Sequence, residues 1–164
     1  MLITIGRKYG SGGREIGEKL ARRLDVPCYV ADDVGVEEIQ TILDWADKGP
    51  CVIVGFCADH VLNGRPGLIR VFIHSDMLHR TRRLARELGV TREEAEREAL
   101  SRDRERARVY GALTKEKWAD LSHYDLTVDS GPLGVTGTVE LLSQFVALKV
   151  MRKRAGGHGG TDCG

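Results

Sequence analysis

Five short apolar runs, Leu2 to Ile5, Pro27 to Val30, Cys51 to Val54, Leu68 to Ile73 and Asp125 to Val128, alternate with segments whose apolar residues recur at helical spacing. Most of the runs are continuously apolar rather than alternating, the pattern of parallel strands covered on both faces. Strands alternating with helical segments imply an α/β fold: a three-layer α/β/α sandwich around a five-stranded parallel sheet.

The intervening helices carry their own start and stop signals. Ile16, Leu20 and Leu24 make one buried stripe, and Asp25 and Pro27 end that helix. A second helix is expected from Val36 to Lys48, with Asp33 as its cap and Gly49 and Pro50 as its stop. Ser75 or Asp76 can cap a helix carrying Met77, Leu84 and Leu88 that stops at Gly89. Thr91 and Glu94 then form a capping box for a highly charged helix. A last helix is expected from Val135 to Val150, before a basic and then glycine-rich segment, residues 151–164, expected to be a disordered tail.

The 164 residues suffice for one domain, residues 1–150, that buries roughly 70% of its unfolded surface. A net charge of +1 excludes a globally basic nucleic-acid binder, so any polyanion site must be local. No uninterrupted apolar run approaches the ~20 residues of a membrane span, and the N-terminus lacks the pattern of a signal peptide, so a cytoplasmic location without membrane association is expected. Cys28, Cys51, Cys57 and Cys163 contain no CxxC pair and read as reduced thiols.

Chemistry concentrates in Gly6 to Gly17, GRKYGSGGREIG, placed directly after the first strand and opening the first helix. At that junction the helix presents unpaired amides and the positive end of its dipole, and glycines let the chain curl so that those amides converge on an anion. Lys8, Tyr9, Gly10, Ser11, Gly12, Gly13, Arg14 and Glu15 are the candidate phosphate-binding residues. A flexible turn, or a dinucleotide site using Asp32 or Asp33 for ribose, fits the same glycines. The loop is not a standard Walker A: Gly13 stands where the lysine would fall, and Glu15 where a magnesium-binding Ser or Thr is expected. Arg14 or Lys8 could supply the positive charge, and Ser11 or Glu15 could reach Mg2+ directly or through water.

A second concentration is Arg102 to Arg108, RDRERAR. Arg102, Arg104, Arg106 and Arg108 could be a solvated helix face laced by i,i+4 pairs, or a clamp whose planar guanidinium forks bind phosphate oxygens.

Together, ITIGRKYGSGGREIG, CVIVGFCAD, RVFIH, the arginine-rich helix and YDLTVDSGPLG resemble the cytidylate kinase-like family, a branch of the P-loop nucleoside monophosphate kinases, from Leu2 to about Leu148. The resemblance implies a fold of the P-loop nucleoside triphosphate hydrolase type with ATP on the glycine loop and Mg2+ beside it. It also implies an arginine-rich lid over residues 91–118 and transfer of the γ-phosphoryl group to a monophosphate such as CMP or dCMP. Arg14, Arg102, Arg104, Arg106 and Arg108 become the catalytic candidates, acting by positioning and charge neutralisation.

The chain departs from the family on the acceptor side. Phe56 replaces the arginine that follows the third strand, while Asp59 is retained, either to hold metal-bound water or to cap the next helix. Only about 20 residues separate Tyr29 from Pro50, where family members carry several tens more. Two expectations of different class follow. One is a small monophosphate kinase using Arg65, Arg70, His60 or the lid in place of the lost arginine. The other is a catalytically impaired nucleotide-binding module that regulates or interacts, its missing region filled by a protein partner or a second subunit. A nucleic-acid role rests only on the arginine segment and the basic tail.

Overall fold

The structure, a computed structural model, describes residues 1–31, 36–55 and 57–156. Five parallel strands, β1 (Leu2–Arg7), β2 (Cys28–Ala31), β3 (Cys51–Gly55), β4 (Leu68–His74) and β5 (Leu126–Asp129), form one sheet in the order β2-β3-β1-β4-β5. The register pairs Ile3 of β1 with Val52 of β3 and with Ile69 of β4, so β1 lies at the centre. Six helices complete the described residues: α1 (Gly13–Leu24), α2 (Val36–Asp47), α3 (Ala58–Val61), α4 (Met77–Leu88), α5 (Arg92–Thr114) and α6 (Ser130–Gly156).

Alternate residues of the strands feed two cores. Ile3, Ile5, Val52, Val54 and Val71 meet Ile16 and Leu20 of α1 and Val139, Leu142 and Val146 of α6 on one face. On the other, Leu2, Cys51 and Ile53 meet Ile42 and Ala46 of α2 and Leu62 after α3. Each fully buried aliphatic side chain contributes about 1.5–3 kcal/mol of transfer free energy, which is what holds the three layers together. Gly17 permits the closest approach: a Cβ there would fall 2.1 Å from Val54 Cγ2, so α1 sits nearer the sheet than any side chain at that position allows.

The expected strands and helices are present, with differences at their ends. Asp76, not Ser75, caps α4, its carboxylate accepting from the His79 N–H. The Thr91 and Glu94 capping box is formed in full. The last helix starts at Ser130, breaks at Gly134, whose φ is 63°, and continues from Val135 to Gly156. Residues 151–156, expected in the tail, are therefore helical: Met, Arg, Lys and Ala have high helix propensity and extend an existing helix. Residues 157–164, Asp32, Asp33 and Phe56 lie outside the described residues.

The span Ser130–Arg152 is long and apolar enough, by length and composition, to cross a membrane, a property that uninterrupted runs conceal. In this fold it docks its inner face on the sheet through Val139, Leu142 and Val146, leaving Leu141, Leu148 and Met151 on the outer face. Glu140 and Lys149 interrupt that span and pair with Arg23 and Asp125.

Candidate active site

Central strand β1 ends at Arg7, and Lys8 to Gly12 turn the chain into α1 at the carboxyl edge of the sheet, where open α/β sheets bind ligands. Gly12 is the N-cap, with φ 80°, and no side chain caps the helix. A Cβ on Gly12 would lie 2.7 Å from Arg83 Nη1, so glycine is required here for conformation and for space. With no side-chain cap, the first-turn amides of α1 keep the orphan character that lets a helix N-terminus hold an anion.

These amides open on a cavity of about 750 Å³ between the glycine loop, α4 and α5. Its cationic side chains are Arg7, Lys8, Arg14, Arg83, Arg102 and Arg106, against four glutamates, Glu15, Glu18, Glu87 and Glu105. A balanced chain therefore builds a local excess of positive charge beside a helix N-terminus. A smaller cavity of about 200 Å³ lies behind the loop and shares Gly10 and Arg83 with the first.

Tyr9 is where α5 grips the loop. Its N–H donates to Asp103 Oδ1 at 3.0 Å, and its carbonyl accepts from Arg80 Nε at 2.7 Å. The Arg102 and Arg106 guanidinium groups each stand 5.6 Å from the centre of its ring, within cation–π range. Buried Arg80 also donates to Asp103 Oδ2 at 2.6 Å. Lys8 Nζ lies 3.8 Å from the same oxygen and 4.3 Å from the centre of the Trp118 ring. Burial lowers the Lys8 pKa, and the Asp103 charge works against that shift.

Arg83 joins α4 to the first turn of α1, its Nη2 donating to Glu15 Oε2 at 2.7 Å while Nε reaches Glu87 at 2.7 Å. Hydrogen bonds from Lys19 and then Arg83 hold the Glu15 carboxyl below the ordinary glutamate range. Arg14 is mostly exposed and pairs with Glu18 on its own helix.

The arginine run divides by helical geometry. Arg102 and Arg106, four residues apart, face the cavity, and Arg106 Nη1 donates to the Arg7 carbonyl at 3.0 Å. Arg104 and Arg108 are each two residues on, about 200° around the helix, and lie on an open surface of α5 with Glu98 and Ser101, a surface that Arg102 also lines. Arg108 is paired with Glu105 at 2.7 Å. Of the four arginines expected to surround a polyanion, the structure thus brings Arg102 and Arg106 to the cavity wall.

Two of the three residues expected to contact metal lie off the wall of this cavity. The buried Ser11 hydroxyl sits 2.8 Å from the Lys8 carbonyl and 3.3 Å from that of Ile73, and the Ser11 carbonyl accepts from Ser130, so this residue braces the loop from below. Asp59 does not cap α3, whose N-cap is Cys57; it is buried and accepts from the Tyr110 hydroxyl at 3.0 Å. Burial, reinforced by the Asp59 charge, raises the pKa of Tyr110 and Tyr124 and pushes the Cys57 thiol up to about 12. Glu15 alone of the three puts its carboxylate on the cavity wall. That suits Mg2+ held mainly by phosphate oxygens and water, with one protein carboxylate. No group of three metal-ligating side chains occurs among the described residues.

The cations expected to replace the lost arginine are engaged elsewhere: Arg65 with Asp47, Arg70 with Asp125, and His60 with Glu116. Sequence reasoning missed Arg80 and Arg83, because the apolar residues of α4 were sufficient to define it. Their signal was present in the i,i+3 spacing that sets both beside Leu84 on the inward face.

The sequence model described as the Cytidylate kinase-like family matches residues 2–38 and 31–132, two segments that meet where the chain is short between β2 and β3. No curated protein matches the chain. Among solved structures, an uncharacterized protein from Eubacterium ventriosum is similar at 28% identity and TM-score 0.81, covering 90% of this chain and 98% of that one. A gluconokinase from Sinorhizobium meliloti aligns at 15% identity and TM-score 0.61 over 95% and 97% of the two chains. The YorR protein from Bacillus subtilis, solved in complex with phosphorylated GDP, aligns at 13% identity and TM-score 0.63 over 92% and 98%. The fold is that of the P-loop kinases, and with most of its length matched the chain belongs to the cytidylate kinase-like family.

Proposed function

We propose that the chain is an ATP-dependent kinase that transfers a phosphoryl group to a nucleoside monophosphate of the CMP or dCMP type. Family and fold support a nucleotide or small-molecule kinase in general; the acceptor class is the finer reading. The observation that carries it is the meeting of an uncapped helix N-terminus with Lys8, Arg83, Arg102 and Arg106 around one cavity. Phosphoryl transfer asks a protein mainly for positioning and for stabilising charge on the phosphate oxygens, and these groups supply both.

In this reading the amides of α1 and Lys8 hold the donor phosphates, and Arg102 and Arg106 reach over from α5 to exclude water and neutralise the transferred group. Exposed carboxylate partners such as Glu18 and Glu98 cost little to exchange for phosphate, because such surface pairs are worth about 0–1 kcal/mol. Glu15 is the protein group that would hold Mg2+, directly or through water, and the metal would supply charge neutralisation to the phosphates. The acceptor phosphate is already an anion, so no general base is required.

The test is ADP formation with ATP and Mg2+ against a panel of monophosphates, together with calorimetric titration of ATP alone. Acceptor-dependent turnover of order 1 per second with CMP or dCMP is the expected result. Nucleotide binding without acceptor-dependent turnover favours a nucleotide-binding regulatory module, a reading that the short α2 region supports. Absence of nucleotide binding overturns both.

A further inference from the structure

Three donors of the kind that hold a phosphate oxygen converge on a single carboxylate. The Tyr9 amide donates to Asp103 Oδ1 at 3.0 Å, Arg80 donates to Oδ2 at 2.6 Å, and the Lys8 ammonium stands 3.8 Å from Oδ2. A backbone amide of the glycine loop, a guanidinium and an ammonium are a phosphate-binding set, met here by an acid that α5 carries in. Lys8 and Tyr9 line the large cavity, while Asp103, nearly buried, reaches them from behind.

The three contacts are unequal. Arg80 and the Tyr9 amide are held at hydrogen-bond distance, whereas Lys8 sits at the edge of ion-pair range and rests on the Trp118 ring. Burial, with the charges of Arg80 and Arg106, lowers its pKa, and the Asp103 charge opposes that shift. An incoming phosphate chain would therefore meet a charged lysine already aimed along the loop but loosely tethered.

We propose that Asp103 is a positioning residue that stands in for a phosphate oxygen, holding Lys8 and the arginine helix on the glycine loop until a polyphosphate takes Lys8 over. The same carboxylate repels the phosphates it yields to, which limits their affinity and speeds product release. The inference rests on the cavity being a polyphosphate site and concerns how that site is regulated.

The test is calorimetric titration of inorganic tripolyphosphate and of ATP into the full-length wild type, Asp103→Asn and Asp103→Glu. Asp103→Asn is expected to bind tripolyphosphate about tenfold more tightly, a modest consequence of removing one like charge a few ångströms away at a partly wet site. Its KM for ATP and its kcat fall together, and Asp103→Glu returns toward wild type. A merely structural role predicts the reverse: weaker binding and a raised KM. Should Asp103→Asn fail to fold, the handover is read in a Trp45→Phe variant, whose remaining tryptophan is Trp118. Its emission must change as Lys8 leaves the ring on tripolyphosphate binding. Wild-type protein that binds neither tripolyphosphate nor ATP overturns the functional reading and this one with it. Binding without tightening in Asp103→Asn, or saturation without a Trp118 signal, overturns this inference alone.

Discussion

Arg106 on α5 donates from Nη1 to the backbone carbonyl of Arg7, the last residue of β1, at 3.0 Å across 99 positions of sequence. This contact fixes which side of the arginine helix meets the glycine loop. Arg102, one turn away, borders both the cavity and the open surface, whereas Arg104 and Arg108 border only the open surface. Truncating the inner pair should therefore differ from truncating the outer pair. We expect Arg102→Ala or Arg106→Ala to lower kcat/KM by 10²-fold or more, the scale on which a preorganised charge at a transferring group acts, roughly 3 kcal/mol. Arg104→Ala and Arg108→Ala should stay within about threefold, as surface ion pairs contribute about 0–1 kcal/mol. Equal losses at all four positions would return the clamp to the whole run.

Gly17 tests how closely α1 must approach the sheet. An added Cβ would meet Val54 Cγ2 at 2.1 Å, and Val54 is fully buried between Ile5 and Ile16. Gly17→Ala gains helix propensity of about 1 kcal/mol but forces strain of typically 1–3 kcal/mol into a packed core. Net destabilisation is expected as a lowered midpoint in urea, and Val54→Ala should partly rescue it by vacating the space. Gly17→Ala with an unchanged midpoint would mean that α1 moves freely on the sheet.

Much of this architecture was legible because the physics is local. Continuous apolar runs define strands buried on two faces, and Asp25, Gly89 and the Thr91 capping box mark helix ends within a few residues of sequence. The glycine loop was legible for the same reason: strand, turn and helix N-terminus are contiguous. What was not legible depends on tertiary partners. Asp103 acts through Tyr9 and Arg80, residues far from it in sequence, and Asp59 reads as a cap or a metal ligand until Tyr110 is seen donating to it. The division of the arginine run was implicit in the helical period, but which half faces inward is decided by where α5 packs.

Tyr110 and Tyr124 give the alkaline limb of stability. Burial first, and then the Asp59 charge, hold both phenols protonated to higher pH than an exposed tyrosine. Above the ordinary phenol value of 10 the unfolded chain loses protons that the folded one keeps, so stability falls as pH rises. Phenolate absorbance followed through an alkaline titration should therefore show a late step that coincides with loss of the circular dichroism signal. Asp59→Asn should shift that step to lower pH, since the repelling carboxylate no longer opposes ionisation. Complete phenol ionisation in folded protein at moderate alkaline pH would contradict the buried Asp59 cluster.

Glu15 contributes to the acid limb from within the site. Lys19 and Arg83 hold its carboxyl below the ordinary glutamate value of 4.5, so the ionised form binds the fold more strongly than the protonated form. A depressed carboxyl contributes stability that is present above its unfolded pKa and lost as pH falls through its lower folded pKa. Wild type should therefore exceed Glu15→Gln in thermal midpoint at neutral pH, with the difference closing below about pH 4. High salt should shrink the neutral-pH difference, because the carboxylate is partly exposed and its pairs are screened. The same substitution leaves Arg83, beside Gly12, with Glu87 as its remaining carboxylate partner, which should strengthen tripolyphosphate binding in the absence of metal while weakening the dependence of ATP binding on Mg2+. A Glu15→Gln protein whose midpoint tracks wild type across the whole acid range would show that Arg83 and Lys19 do not hold this carboxylate in solution.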